Sequence, residues 1–406
     1  MARFTPEQLL HDLVDVPELL IVQDLDGVCM QLVKDPLTRQ LDRSYVESVA
    51  KLAECFVVLT NGEHEGRRGV NRLVEQALGD VSRPAREGLY LPGLAAGGVQ
   101  LQDRYGQLSH PGVSSDEMAF LAKAPERMED LFLQRLPEFL PECEEQQLRE
   151  VAHAAVLDTQ VSPTINLNGV FSLVPDDVGR QRALQGMLQQ VMDQLLSEAA
   201  AEGLDQSFFL HVAPNLGRDA DGHERLKPAE PGDVGSTDIQ FMLTGSLKEA
   251  GLLVLLNRRI AARWGKAPLG DDFHVRHAPR THADLLNLVK TTIPAEQIPM
   301  LVGVGDTVTS TAASDGSGWL RGGSDRGFLR LLQEIGAWSG QGSRVVLVDS
   351  SHGEVDRPSL ADGRYVGVTD PDDPLKLDVV IPEGPRAYVS WFKELARRRS
   401  LAQGSV

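Results

Sequence analysis

The sequence predicts an α/β chain, with a doubly wound, Rossmann-like parallel sheet as its core and an α+β cap inserted into it. Two observations carry that prediction. Short apolar runs that stop at acidic or Gly-rich turns occur at Leu19–Val28, Cys55–Leu59 and Met300–Val304, the pattern of strands buried on both faces. Between the second and third of these runs the pattern changes to an acidic helical block followed by alternating segments, as expected of a separate module.

In order along the chain, LLIVQDLDGV gives the first strand and Tyr45–Ala53 a helix. CFVVL, stopping at Thr60-Asn61-Gly62, gives the second strand. Val70, Leu73, Val74, Ala77 and Leu78 repeat at helical spacing. The Gly-rich stretch LYLPGLAAGGVQLQDRYGQLSH reads as a pair of short strands. From Ser114 to Val151 the sequence is helical, Ser162–Val174 alternates like a strand or hairpin, Leu184–Leu195 is an amphipathic helix and Phe208–Ala213 a strand. Ser246–Ile260 is an apolar helix and Asp284–Lys290 a short one. Then come the Met300–Val304 strand, a helix at Asp325–Ile335, a strand at Arg344–Val348 and a closing helix at Ala387–Arg398. The expected division is 1–108 as the first part of the core, 109–243 as the cap and 244–406 as the second part of the core.

Composition narrows the function. The 406 residues carry 58 Asp and Glu against 40 Lys and Arg, a net charge of −18, which argues against nucleic acid or an anionic membrane as the main partner. A phosphate-bearing ligand then needs a local cation or helix N-termini. The three cysteines, Cys29, Cys55 and Cys143, are far apart and without metal-ligand spacing, so no disulfide framework is expected. The first twenty residues do not read as a signal peptide, and no uncharged apolar run approaches the length of a membrane span. A cytoplasmic protein is expected.

Asp24 and Asp26 close the first strand, where residues two apart share a face, and Gly27 lets the chain turn away. Thr60 ends the second strand, and the backbone after it, at Asn61 and Gly62, can meet an anion. Asp306 ends the Met300–Val304 strand. Oxygen-rich groups on neighbouring strand ends suit Mg²⁺, a hard cation that takes few protein carboxylates and several waters.

This set resembles the haloacid dehalogenase superfamily of aspartyl phosphotransferases: Asp24-Leu25-Asp26-Gly27-Val28 for its first motif, Thr60 for its second, a helix-opening lysine for its third and Gly305-Asp306 for its fourth. The resemblance implies that Asp24 attacks phosphorus, that Asp26 serves as acid and then base, and that Thr60 and the Asn61 N–H hold a phosphoryl oxygen. It also implies Mg²⁺ bound by Asp24, the Asp26 carbonyl and Asp306. For the lysine, Lys248 in Lys-Glu-Ala-Gly-Leu is preferred to Lys290, which falls late in its helix. Relatives often carry a second acid shortly after the fourth motif. Here Thr309, Ser310 and Asp315 are the candidates to complete the metal shell.

An insert between the second and third motifs is where sugar-phosphate phosphatases of this superfamily carry their cap. Longer strings, VQDLDGVCMQLVKDPLTR, FVVLTNGEHEG, LVGVGDTVTS and VDSSHGEVDRPS, are similar to those of the glucosylglycerol-phosphate phosphatases. The implied reaction is hydrolysis of glucosylglycerol 3-phosphate to a compatible solute and phosphate, and the acidic surface accords with work at raised salt. The implied partners are a small sugar phosphate and the glycosyltransferase that makes it. Glu63, His64 and Arg67 are candidates for hydroxyl contacts, as are Asn166 and Asn168 in the cap. Other readings are a phosphatase of sucrose, trehalose or mannosylglycerate phosphate, and a non-catalytic sugar-phosphate sensor.

Several features read more simply as structure. Asp219-Ala220-Asp221-Gly222 has no strand before it, and Glu224 stands where a calcium loop needs Gly, so it is a turn. His274, His277 and His282 are too loosely spaced for zinc. Gly322-Gly323 before Ser324-Asp325 is an ordinary helix cap. Ser317 lacks a nucleophile-elbow pattern, and Arg397–Arg399 answer a helix dipole.

Overall fold

The computed structural model describes residues 2–316 and 318–403; Ser317 lies outside the described residues. In chain order its strands are β1 (Leu19–Gln23), β2 (Phe56–Leu59), β3 (Gly93–Ala95), β4 (Gln100–Gln102) and β5 (Leu108–Ser109). There follow β6 (Val156–Leu157), β7 (Thr164–Asn166), β8 (Phe208–Ala213), β9 (Asn215–Arg218), β10 (Glu224–Leu226) and β11 (Asp238–Leu243). The last group is β12 (Met300–Gly305), β13 (Thr309–Ala312), β14 (Trp319–Gly322), β15 (Ser343–Val348) and β16 (Val379–Ile381).

The main sheet has the order β16-β15-β12-β1-β2-β3-β4-β5. Every pair from β16 to β3 is parallel, and β3, β4 and β5 continue antiparallel at the edge. The chain winds outward from β1 to one side, then returns and winds outward from β12 to the other. The strand order therefore reverses between β1 and β12, and a crevice opens beyond their carboxyl ends, where ligands bind in open α/β sheets.

The run LLIV of β1 is apolar throughout because both faces are covered. Leu19 and Ile21 pack with Leu9, Tyr45, Val70 and Phe392, from the helices Pro6–Val14, Arg43–Lys51, Val70–Leu78 and Pro385–Gln403. Leu20 and Val22 pack on the opposite face with Leu252 and Leu329, from the helices Lys248–Trp264 and Arg326–Ser339. Each such side chain, fully buried, contributes roughly 2 kcal/mol. Gln23 then ends the strand without leaving a buried polar group unmatched: its Nε2 donates to Tyr45 Oη at 2.7 Å and its Oε1 accepts from Tyr388 Oη at 2.6 Å.

A second, antiparallel sheet has the order β6-β7-β11-β8. One face, with Ile165, Ile239 and Phe241, packs in a common core with Phe132 and Leu188 of the helices Ala124–Phe139 and Val178–Ala201. The other face is polar and looks onto the crevice. The alternation expected over Ser162–Val174 holds only for β7. Asn166 Oδ1 accepts the Asn168 N–H at 2.9 Å, which turns the chain out of the strand into a short helix at Asn168–Phe171.

Other elements are absent from the sequence reading. They include the first helix, a short helix at Arg83–Glu87, β6, the hairpin β9–β10 around the Asp219–Gly222 turn, β11, the hairpin β13–β14, and β16. Between β15 and β16 the chain makes a long irregular return, fixed to the rest by two bidentate pairs, Arg326 with Asp373 and Arg321 with Asp370. Among the described residues no helix is long and apolar enough to cross a membrane.

Candidate active site

Three strand ends meet at the crevice. Asp24 follows β1, Asp306 follows β12, and Thr60 follows β2. β11 runs on into the helix Lys248–Trp264, whose first residue is Lys248. The Lys248 ammonium lies 2.7 Å from Asp24 Oδ2 and 2.7 Å from Asp325 Oδ1, with all three side chains buried. Asp325 Oδ2 accepts the backbone N–H groups of Asp306 at 2.9 Å and Thr307 at 3.0 Å. Asp24 Oδ1 accepts the Leu25 N–H at 2.8 Å. One lysine thus clamps two carboxylates, and the second of those fixes the turn that carries a third.

Asp325 is absent from the expected site. It stands at the N-cap of the helix Arg326–Ser339, but its side chain makes no capping bond. The second acid of the fourth motif is Asp325, 19 residues beyond Asp306 rather than a few. The hairpin β13–β14 intervenes, and the acid arrives only after it. The three residues proposed for this place lie elsewhere. Thr309 donates to the Asn215 carbonyl at 2.6 Å, Ser310 is bound to Asp370, and Asp315 is exposed at the hairpin's tip. Lys290 is exposed near the end of its helix.

Asp24, Asp306 and Asp325 each bring a carboxylate oxygen within 4.8 Å of the others. Burial raises the pKa of Asp24 to about 7, with Lys248 pulling it down and Asp325 pushing it up. Burial, then the charges of Asp325 and Asp24, hold Asp306 well above the usual carboxylate range. For Lys248 burial favours the neutral amine, but the two flanking carboxylates more than reverse this and raise its pKa. Asp306 Oδ2 is buried and accepts no hydrogen bond. Like charges crowded around an unmatched oxygen form a donor set that fits a hard divalent cation. Two glycines allow the crowding. A Cβ at Gly27, with φ +75°, would lie 2.2 Å from Asp306 Oδ2, and one at Gly305 would lie 2.6 Å from Asp325 Oδ2.

Asp26 faces the open part of the cavity, its side chain 32% exposed, and is paired with Arg39 at 2.8 Å. Arg39 is itself held by the Pro36 and Arg68 carbonyls. Arg39 closes the family-like string VQDLDGVCMQLVKDPLTR, but no motif assigns it a role. Thr60 is buried, and its Oγ1 accepts the Gly62 N–H at 3.3 Å. Asn61 Nδ2 lies 2.8 Å from Nε2 of His211 on the second sheet.

The polar residues after Thr60 are placed differently from expectation. His64 is fully buried, its ring between the Gly93 carbonyl and Gln102, and desolvation lowers its pKa to about 4, so it is a neutral packing group outside the cavity. Arg67 is half exposed and paired with Asp158 at 3.0 Å, also outside the cavity. Glu63 borders the cavity, but its carboxylate is engaged by the N–H groups of Gln160, Val161 and Ser162 and by the Ser162 hydroxyl. Asn166 and Asn168 do line the cavity.

The helix cap expected at Ser324-Asp325 is corrected, because Asp325 makes no capping bond and joins the clamp on Lys248, whereas the Asp219 turn and the three histidines are held by local contacts. Asp219 Oδ1 accepts the N–H groups of Asp221 and His223, closing the hairpin turn. The His274 and His277 rings stack 3.8 Å apart, while His282 bonds Glu334 at 2.8 Å. Among the described residues no metal-holding group includes those three histidines. The cysteines are free thiols.

Residues 18–396 match the family described as glucosylglycerol-phosphate phosphatase. A curated glucosylglycerol-phosphate phosphatase from Synechocystis sp. (strain ATCC 27184 / PCC 6803 / Kazusa) is 50% identical over 402 residues, covering 95% of this chain and 94% of its own. Among solved structures, the C-terminal domain of C. albicans trehalose-6-phosphate phosphatase is similar at a TM-score of 0.49 and 13% identity, covering 98% of both chains. The C-terminal domain of the Candida albicans trehalose synthase regulatory protein is similar at 0.48 and 7% identity, covering 97% of this chain and 99% of that one.

Proposed function

The chain belongs to the glucosylglycerol-phosphate phosphatase family and is a phosphoric monoester hydrolase; from that premise we propose that it hydrolyses glucosylglycerol 3-phosphate through a phosphorylated Asp24. The observation that supports this path is the clamp in which Lys248 bridges Asp24 and Asp325 while Asp325 orders the Asp306 turn. Phosphoryl transfer needs little covalent help beyond a nucleophile, and positioning with charge compensation does most of the rest.

In the first step Asp24 attacks phosphorus, the bond from phosphorus to the glycerol oxygen breaks, and Asp26 gives that oxygen a proton. In the second, Asp26 takes a proton from water as the water oxygen attacks the acyl phosphate, releasing phosphate and restoring Asp24. Lys248 holds Asp24 in place and offsets charge between it and the incoming phosphate. The Thr60 hydroxyl and the backbone N–H groups of Asn61 and Gly62 hold phosphoryl oxygens. Arg39 supports Asp26 in one orientation. A Mg²⁺ ion would be held by Asp24, the Asp26 carbonyl, Asp306 and Asp325, and would supply charge neutralisation to the phosphoryl group. Residues 109–243, with the second sheet, form a cap between core segments 1–108 and 244–406, and close the crevice from water. Free cysteines accord with a cytoplasmic location, and the glycosyltransferase that makes the substrate is the proposed partner.

The test is phosphate release by the purified chain from glucosylglycerol 3-phosphate, sucrose 6-phosphate and trehalose 6-phosphate. The first should be preferred, Mg²⁺ should be required, and excess EDTA should stop turnover reversibly. Asp24→Asn should abolish release. Full activity in that variant would exclude the covalent path, and preference for another sugar phosphate would reassign the substrate.

A further inference from the structure

The wall of the cavity supplied by the second sheet has a chemistry that phosphoryl transfer does not use. On the paired strands β7 and β11, Asn166 stands opposite Asp238 and Thr164 opposite Gln240. Equal parity puts the four side chains on one face, and all four line the same cavity as Asp24 and Asp26. Arg357, from the long return between β15 and β16, borders that cavity from the core side and donates to the Gly235 carbonyl at 3.3 Å.

Two polar atoms in this group are buried without a hydrogen-bond partner: the acceptor Gln240 Oε1 and the donor Arg357 Nε. A protein ordinarily matches such atoms, and leaving them bare is costly unless a ligand answers them. Asp238 accepts from Asn166 Nδ2 at 2.7 Å and from Thr237 Oγ1 at 2.8 Å, and each carboxylate oxygen keeps capacity for a second donor. The group is thus rich in acceptors, with one cationic donor beside one anion. Among the described lining residues there is no aromatic ring, so a ligand here is read by hydrogen bonds rather than by stacking. A neutral group dense in hydroxyls, each both donor and acceptor, matches it.

We propose that Thr164, Asn166, Asp238, Gln240 and Arg357 form the subsite that reads the hydroxyls of an uncharged glycosyl group on the phosphomonoester, and so set the preference for a glycosylated over a bare polyol phosphate. The inference rests on the phosphoryl site at Asp24 proposed above. Gln240 lies across the strand pair from Thr164, so the hydroxyls are met by a two-by-two polar grid rather than by a flexible loop. The phosphate end is fixed by the core and the glycosyl end by the second sheet, which makes discrimination a matter of length and hydroxyl placement.

The experiment compares kcat/KM for glucosylglycerol 3-phosphate with that for glycerol 3-phosphate, which lacks the glycosyl group, in the wild type, Gln240→Leu and Asp238→Asn. Each substitution should lower the ratio of the two by about tenfold or more, as loss of a specific hydrogen bond would. Circular dichroism and melting confirm that the variants are folded. A ratio within twofold of wild type, whether both rates are kept or both fall together, overturns the proposal. Calorimetric binding of glucosylglycerol itself to Asp24→Asn, alone and combined with Gln240→Leu, separates the two readings. If the wild type releases no phosphate yet binding weakens with Gln240→Leu, the subsite stands and the reaction fails. If glucosylglycerol binds equally with and without Gln240, the subsite fails.

Discussion

Asp325 serves the site through one carboxylate used on both sides, with Oδ1 on Lys248 and Oδ2 on two backbone N–H groups that shape the Asp306 turn. Asp325→Asn leaves an amide that can satisfy only one side: turned to accept from the backbone, it points an NH₂ group at an ammonium. The expected outcome is a loss of at least about a hundredfold in kcat, with a higher Mg²⁺ requirement, because both the clamp and one proposed ligand are lost. Steady-state phosphate release over a Mg²⁺ titration checks this, and an unchanged Mg²⁺ dependence would remove Asp325 from the ligand set. At this scale legibility divides by distance from an apolar run. Asp24, Asp26, Thr60 and Asp306 stand where such runs stop, so their position is readable. Asp325 and Arg39 reach the site from a helix cap and a loop, where the same residue types usually serve local structure. His64 and Arg67 fail the other way: they are close to Thr60 in sequence, but the turn after β2 directs one into the core and the other to Asp158.

The strand β1 delivers its acids to the crevice only because the chain leaves it sharply at Gly27. There φ is +75°, a left-handed conformation that costs a side chain about 1 kcal/mol, and a Cβ would meet Asp306. Gly27→Ala should therefore melt a few degrees lower and lose far more activity than that destabilisation explains, because the methyl group displaces a carboxylate of the site. Thermal melts together with phosphate release measured well below the melting range separate the two effects; activity falling only in step with the folded fraction would make Gly27 a turn residue and nothing more. Element by element, the sequence shows the buried strands β1, β2, β12 and β15, since apolar runs between Gly and acid leave few alternatives. It hides β11, β13, β14 and β16. Those strands carry polar residues on one face or are very short, and β11 and β16 in addition pair with strands far away in sequence.

Across the whole molecule, the second sheet is joined to the core beside the catalytic rim as well as by chain connections. Glu63, next but two after Thr60, receives three consecutive N–H groups and a hydroxyl from Gln160–Ser162, just ahead of β7. Asn61 meets His211 of β8, and Thr309 donates to the Asn215 carbonyl. The proposed phosphate grip and the proposed hydroxyl-reading strands are thereby tied through a residue that composition alone marks only as one more acid among 58. The Glu63 carboxylate is buried, and burial raises its pKa against the opposing pull of the donors it accepts. Glu63→Ala leaves those backbone donors without an acceptor in a place closed to water, at a cost of about 3 kcal/mol or more. The β7 segment should then exchange its amide hydrogens faster than the β1 and β12 strands do, and KM for the glycosylated substrate should rise more than kcat falls. Hydrogen exchange on the intact chain and kinetics on two substrate lengths measure both effects. Uniform loss of protection through the main sheet would show Glu63 to be a general stability residue instead, whereas a change confined to residues 156–166 identifies it as the anchor between grip and reader.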